Sequence, residues 1–93
     1  MNDPNKTYEL IASSAEAIVK RLEEGAAKHS PGSWLNEPPE QHAAHMFNHL
    51  AALNKISHGF APDDGEDHTA AIITRAVMLH YTYRQKKNQE PRA

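Results

Sequence analysis

The chain contains no cysteine, which removes disulfide staples, thiolate metal sites and a cysteine nucleophile together. It has no apolar run near the roughly 20 residues that a membrane span needs, and its opening residues, MNDPNKTYEL, are too polar for a secretory leader, so a soluble cytoplasmic protein is expected. There is no G-x-x-x-x-G-K-[ST] or G-x-G-x-x-G phosphate loop, which sets P-loop and Rossmann chemistry aside. Nor is there an excess of basic charge. The net charge is −2, and Lys and Arg are scattered rather than striped, which argues against duplex nucleic acid while leaving room for a local anion site. Internal repeats and low-complexity tracts are also missing. With 93 residues the chain makes one domain, 1–93, whose core buries only roughly 60–65% of the surface of its unfolded chain.

What is present has helical period. Tyr8, Ile11, Ala15, Ile18 and Leu22 recur at alternating three and four residues, with Glu9, Ser13, Glu16, Lys20 and Glu23 outside the stripe. The pattern predicts a helix over 8–29 that runs through Gly25 with one face in the core. Residues 30–39 hold three prolines and a glycine and read as a turn-rich loop. Pro38 and Pro39 suit the first turn of a second helix over 39–57, stopped before Gly59. The acidic turn Asp63-Asp64-Gly65-Glu66-Asp67 caps a third helix over 65–84, with Asp64 and Asp67 at capping-box spacing. The tail 85–93 is polar and reads as frayed. The fold class is therefore all-α, a three-helix antiparallel hairpin or bundle. Between Thr69 and Tyr83 the one formally charged residue is Arg75, and apolar side chains occupy more than one side of the wheel. Such a helix needs neighbours all round, so it is either central or at an interface, and a homo-oligomer is expected to complete the core.

Seven histidines are the conspicuous chemistry. His42, His45 and His49 share one face of the second helix. His45 and His49 have the i, i+4 spacing by which two imidazoles hold one metal, with His68 or an acidic-turn carboxylate to complete the set. The plainer readings are hydrogen-bonded core histidines, or histidines that meet a phosphate or base in a cleft. Arg75 lies on one stripe with His68 and Thr82, and a guanidinium in so apolar a helix needs an anion: Glu37, Glu40 or an Asp of the turn if internal, a phosphate or carboxylate if a ligand. Trp34 is either a plug over one end of the core or a stacking platform. The acidic turn is either a cap or a divalent-cation site formed by Asp63, Asp64, Glu66 and Asp67.

Gly25-Ala26-Ala27-Lys28-His29 followed by Trp34, then Asn48-His49-Leu50, then Asp63-Asp64-Gly65-Glu66-Asp67-His68 resemble the phage and bacterial dATP/dGTP diphosphohydrolase family. The resemblance implies an all-α nucleotide pyrophosphatase-like fold, a purine deoxynucleoside triphosphate as substrate, and Mg²⁺-assisted attack of water on a phosphoanhydride to give monophosphate and pyrophosphate. It puts His49, His68 and the acidic turn beside the phosphates, with Trp34 nearby. Asn48 stands where the family usually has Arg, and the paired E-x-x-E and E-x-x-D helical segments of the wider superfamily are missing. The candidate ligand contacts are Lys28, Trp34, His45, His49, His68 and Arg75. The candidate Mg²⁺ ligands are Asp63, Asp64, Glu66 and Asp67. A nucleotide or nucleotide-like molecule is thus the expected partner, bound by an enzyme or by a non-catalytic phage counter-defence protein that sequesters a nucleotide signal such as a cyclic nucleotide in the host cytoplasm. A module that docks on another protein is the third reading.

Overall fold

The computed structural model describes residues 4–89. Three α-helices, α1 (Pro4–Lys28), α2 (Pro39–Ser57) and α3 (His68–Gln89), are joined by a 3-10 turn at Ser33–Asn36 and a loop before α3, and the described residues include no strand. No helix among them is long and apolar enough to cross a membrane. α3 is central, packed against both α2 and α1. Along α2 and α3 the contacts run Glu40 to Lys86, His42 to Arg75 and His49 to His68, so these two helices are antiparallel.

The helix ends follow from local chemistry. Pro38 is the N-cap of α2, and Pro39 stands in the first turn, where its missing N–H has no intrahelical acceptor to lose. At the other end Gly59 takes φ 76°, the Gly59 N–H donates to the Ile56 carbonyl and the Phe60 N–H donates to the Lys55 carbonyl at 2.8 Å. This is a Schellman closure, which needs the left-handed residue that Gly59 supplies. α1 runs unbroken through Gly25, as the sequence predicts.

α3 departs from expectation at both ends. It starts at His68 rather than residue 65, because the cap is Asp67: its Oδ1 accepts from the Ala70 N–H at 3.1 Å and the Thr69 hydroxyl at 2.8 Å. Asp64 is instead held by the Glu66 N–H and the ring of His68. The expected frayed tail is helical to Gln89, and Lys86 Nζ meets Glu40 Oε1 at 3.2 Å. Residues 90–93 of that tail lie outside the described residues.

The core is small and more polar than the apolar stripes predict. Among the described residues the buried apolar ones are Ala70, Ala71 and Met78, all on α3, accompanied by buried His42, His68, Thr74 and Thr82. The Thr74 and Thr82 hydroxyls donate to the Ala70 and Met78 carbonyls at 2.8 Å, which satisfies them within their own helix. The stripe expected to bury α1 does so only towards its C-terminal end: Ile18 and Leu22 are half-buried, whereas Tyr8 is 81% and Ile11 63% exposed.

His42 is fully buried and ties three segments together. Its Nε2–H donates to the Trp34 carbonyl at 3.0 Å, which leaves Nδ1 to accept from Arg75 Nη1 at 3.0 Å. His42→Leu would leave the Arg75 donor without this acceptor, at a cost of about 1–3 kcal/mol, which lowers Tm by roughly 4–8 °C per kcal/mol in a domain of this size. His45→Leu, at a half-buried position of the same helix with no hydrogen bond among the described residues, should leave Tm nearly unchanged. Thermal denaturation of the two variants checks the contrast.

Candidate functional site

Two lobes of one cleft lie along α1 and α3. The first, about 270 Å³, is lined by Arg21, Gly25, Lys28, His49, Glu66 and Arg75 among others. The second, about 310 Å³, is lined by Arg21, Gly25, Ser33, Trp34, Glu37 and Arg75 among others. Arg21, Gly25, His29, Arg75 and Met78 belong to both, so the lobes are adjacent and share a wall. Gly25 makes room here: a Cβ built on it meets no atom within 4 Å, and any larger side chain would project into free volume beside both lobes.

Arg75 is the shared floor of the cleft. Its Nη1 donates to Glu37 Oε2 at 3.1 Å and to His42 Nδ1 at 3.0 Å. The guanidinium is therefore neutralised by an internal carboxylate, the first of the alternatives raised by the sequence. The 3.6 Å approach of Glu37 Oε2 to His42 Nδ1 is no ion pair, because that nitrogen is the acceptor of the Arg75 bond. Nη2 and Nε have no protein partner among the described residues, and they remain available to a ligand in the cleft.

A second chain of contacts runs from the acidic turn into the first lobe. Both oxygens of Asp64 face His68 Nε2, at 2.8 and 3.0 Å, so that nitrogen carries the proton and donates. His68 Nδ1 lies 3.0 Å from His49 Nδ1. With His68 protonated on Nε2, the His49 Nδ1–H is the donor and His68 Nδ1 the acceptor. Glu66 Oε1 lies 3.8 Å from His49 Nδ1 and 3.4 Å from Arg21 Nη2. Burial of the His49 ring holds its pKa below the ordinary 6.5, with His68, Arg21 and Arg75 acting in the same direction and Glu66 opposing. Asp64 is lowered by the Glu66 N–H and then by His68, and Asp67 by the Ala70 N–H and then the Thr69 hydroxyl.

Of the residues expected to touch a ligand, Lys28, His49 and Arg75 meet in the first lobe and Trp34 and Arg75 in the second. Trp34 also makes edge contacts with the rings of His42 and Tyr81, at 6.1 and 5.8 Å, so it plugs the core while it borders the cleft. His68 is buried behind His49, and His45 lines neither lobe. The four acidic-turn residues do not converge on one point. Asp63 Oδ1 accepts from the Gly65 N–H, Asp64 is committed to His68, and Asp67 caps α3. Among the described residues, the three-residue group of potential ligands that does converge is His49, Glu66 and His68. The sequence reading missed Arg21, Gly25 and Glu37 as lining residues. Arg21, Gly25 and Lys28 stand at i, i+4 and i+7, one face of a helix whose glycine marks free space, which is a signal that the stripe of apolar residues overshadowed.

The sign of the His49 shift fixes a pH dependence. A folded-state pKa below 6.5 means that the unfolded chain binds the extra proton first, so the stability is present above about pH 6.5 and is lost as pH falls through the lower folded value. Tm should hold between pH 7 and 8 and fall below about 6.5, with a further loss in the acid range as Asp64 and Asp67 titrate. His49→Gln should flatten the first decline and keep the second. Scanning calorimetry at a series of pH values measures both.

No curated protein and no solved structure matches the chain. The family model described as dATP/dGTP diphosphohydrolase, N-terminal, matches residues 2–92. With nearly the whole chain covered, and with the helical fold and the cleft in view, the protein belongs to the dATP/dGTP diphosphohydrolase N-terminal family.

Proposed function

We propose that the cleft between α1 and α3 binds a purine nucleotide, with its phosphates in the first lobe and its base or sugar near Trp34 in the second. The observation that carries this reading is that Arg75 lines both lobes, with Lys28 in the first and with Trp34 in the second. Phosphate oxygens match the forked donors of a guanidinium, and a half-exposed indole offers a face or an edge to a planar base. Family membership supports a purine deoxynucleoside triphosphate, dATP or dGTP, as the molecule that fills it. On this reading the enzymatic outcome is a monophosphate and pyrophosphate.

The acidic turn is no closed protein cage for Mg²⁺, whose ligands must meet in a near-regular octahedron. It does fit the commoner arrangement in which Mg²⁺ arrives on phosphates and takes one or two carboxylates from the protein. Asp63, Glu66 and Asp67 each keep an oxygen without a protein partner among the described residues, and they are the side chains that would hold it. When bound there, the ion would neutralise charge on the phosphoanhydride. The scattered carboxylates also favour a second reading, in which the protein sequesters an intact nucleotide or cyclic nucleotide without turnover.

Self-association belongs to the same proposal. Tyr8, Leu10 and Ile11 on α1 and Phe47 on α2 are all at least 63% exposed, while the buried apolar core of one chain is confined to α3. A second copy of the chain that covers these side chains would complete the core, and sedimentation equilibrium should return a mass above that of one 10.4 kDa chain.

Incubation with dATP, dGTP and cyclic nucleotides, with and without Mg²⁺, separates the readings when the heat-released small molecules are chromatographed. Monophosphate and pyrophosphate formed only with Mg²⁺ support hydrolysis; an intact, retained ligand supports sequestration; neither conversion nor retention sinks both. A true ligand should stabilise the fold by about 2.7 kcal/mol at one hundred times its Kd. Gly25→Ala should raise the stability of the free protein by about 0.5–1 kcal/mol, whereas Gly25→Leu should fill the cleft and remove the ligand-induced shift.

A further inference from the structure

We infer that His49, His68 and Glu66 form a binding site for a zinc-type divalent cation, one that takes nitrogen ligands and is distinct in chemistry from a Mg²⁺ held on carboxylates. Potential ligand atoms of the three side chains lie within 4.8 Å of one another. His49 Nδ1 and His68 Nδ1 are 3.0 Å apart, a few tenths of an ångström short of the separation, about 3.3–3.4 Å, between two imidazole nitrogens bound at about 2.0–2.1 Å to one tetrahedral zinc ion. Glu66 Oε1, 3.8 Å from His49 Nδ1, is held only by its 3.4 Å contact with Arg21, and its side chain is exposed enough to swing into place.

The feature that points to a metal is on the far side of His68. A histidine that ligates a metal through one ring nitrogen usually donates its other N–H to a carboxylate, which fixes both the tautomer and the ring orientation. Asp64 does this to His68 Nε2 at 2.8 Å, and it thereby aims the Nδ1 lone pair of a buried ring at His49. Without a cation that lone pair accepts the His49 Nδ1–H. With a cation, the His49 proton moves to Nε2 and both Nδ1 lone pairs meet the ion, so atoms and charge balance without any other reactant.

Two His nitrogens and one carboxylate oxygen make a three-ligand set that leaves a position open. His49 and Glu66 both line the first lobe, so the open position faces the cleft. Across the two lobes Arg21, Lys28 and Arg75 are balanced by Glu24, Glu37 and Glu66, and the protein alone offers an anion little net attraction. A doubly charged ion at this corner would give the cleft the positive charge that a phosphate needs. The site itself does not depend on the nucleotide proposal, because the metal alone is the probe.

Titration of the metal-free chain with Co²⁺, followed by visible absorption, and with Zn²⁺, followed by equilibrium dialysis, tests it. One equivalent per chain is expected, with the visible bands of nitrogen- and oxygen-ligated cobalt. His49→Ala changes a side chain that is 20% exposed and should fold; it should weaken binding at least one hundredfold. Asp64→Asn keeps all three ligands and should weaken binding about 10–100-fold. Circular dichroism confirms that each variant is folded. No stoichiometric uptake, or uptake unchanged by His49→Ala, overturns the site and leaves a proton-bridged histidine pair; failure of nucleotide retention alone leaves it standing.

Discussion

The one formally charged side chain between Thr69 and Tyr83 of α3 is the constraint around which the molecule is arranged. Arg75 sits in the N-terminal half of α3, the helix that both others pack against, and its charge must be met before those helices can close on it. Glu37 supplies the counter-charge and His42 a neutral acceptor. His42 performs this role because the Trp34 carbonyl occupies its other nitrogen. One imidazole thus couples the 3-10 turn, α2 and α3, and Trp34 is placed over the core by its backbone as well as by its ring. Solvation of one guanidinium fixes the loop, the plug and the cleft floor together.

The helices were legible because their signals are local. The alternating three-and-four spacing of α1, the Pro38-Pro39 start of α2 and the Gly59 stop need only residues within a turn or two, and α2 matches its expected bounds. The start of α3 was misplaced by three residues because Asp64 and Asp67 both have capping chemistry. What decides between them is His68, whose ring recruits Asp64 and leaves the cap to Asp67. The burial of α1 was misread for a different reason. A stripe shows which face is apolar, not how far along it a neighbour extends, and Tyr8 and Ile11 lie where none of the described residues covers them.

Site legibility has the same division. Lys28, Trp34, His49 and Arg75 were singled out from residue type and position, and the fold gathers them on one cleft. The roles of His42 and Glu37 were not separable in advance. His42, His45 and His49 occupy one helix face, yet only the first is buried against a carbonyl and only the last meets His68. Which of three similar imidazoles is buried and which borders the cleft depends on residues 19 to 33 positions away.

The two histidine chains along α3, one at its first residue and one at Arg75, have opposite characters. His42 has both ring nitrogens engaged by partners that leave no freedom, a carbonyl that must accept and a guanidinium that must donate, so its tautomer is set and it can neither bind a metal nor relay a proton. His49 and His68 share one hydrogen between two nitrogens, with Asp64 fixing only the outer one. That proton can be replaced by an ion or moved to the other nitrogen of His49 without breaking the packing around it. Closure of the helices therefore rests on the first imidazole, and the chemistry open to change rests on the pair that borders the cleft.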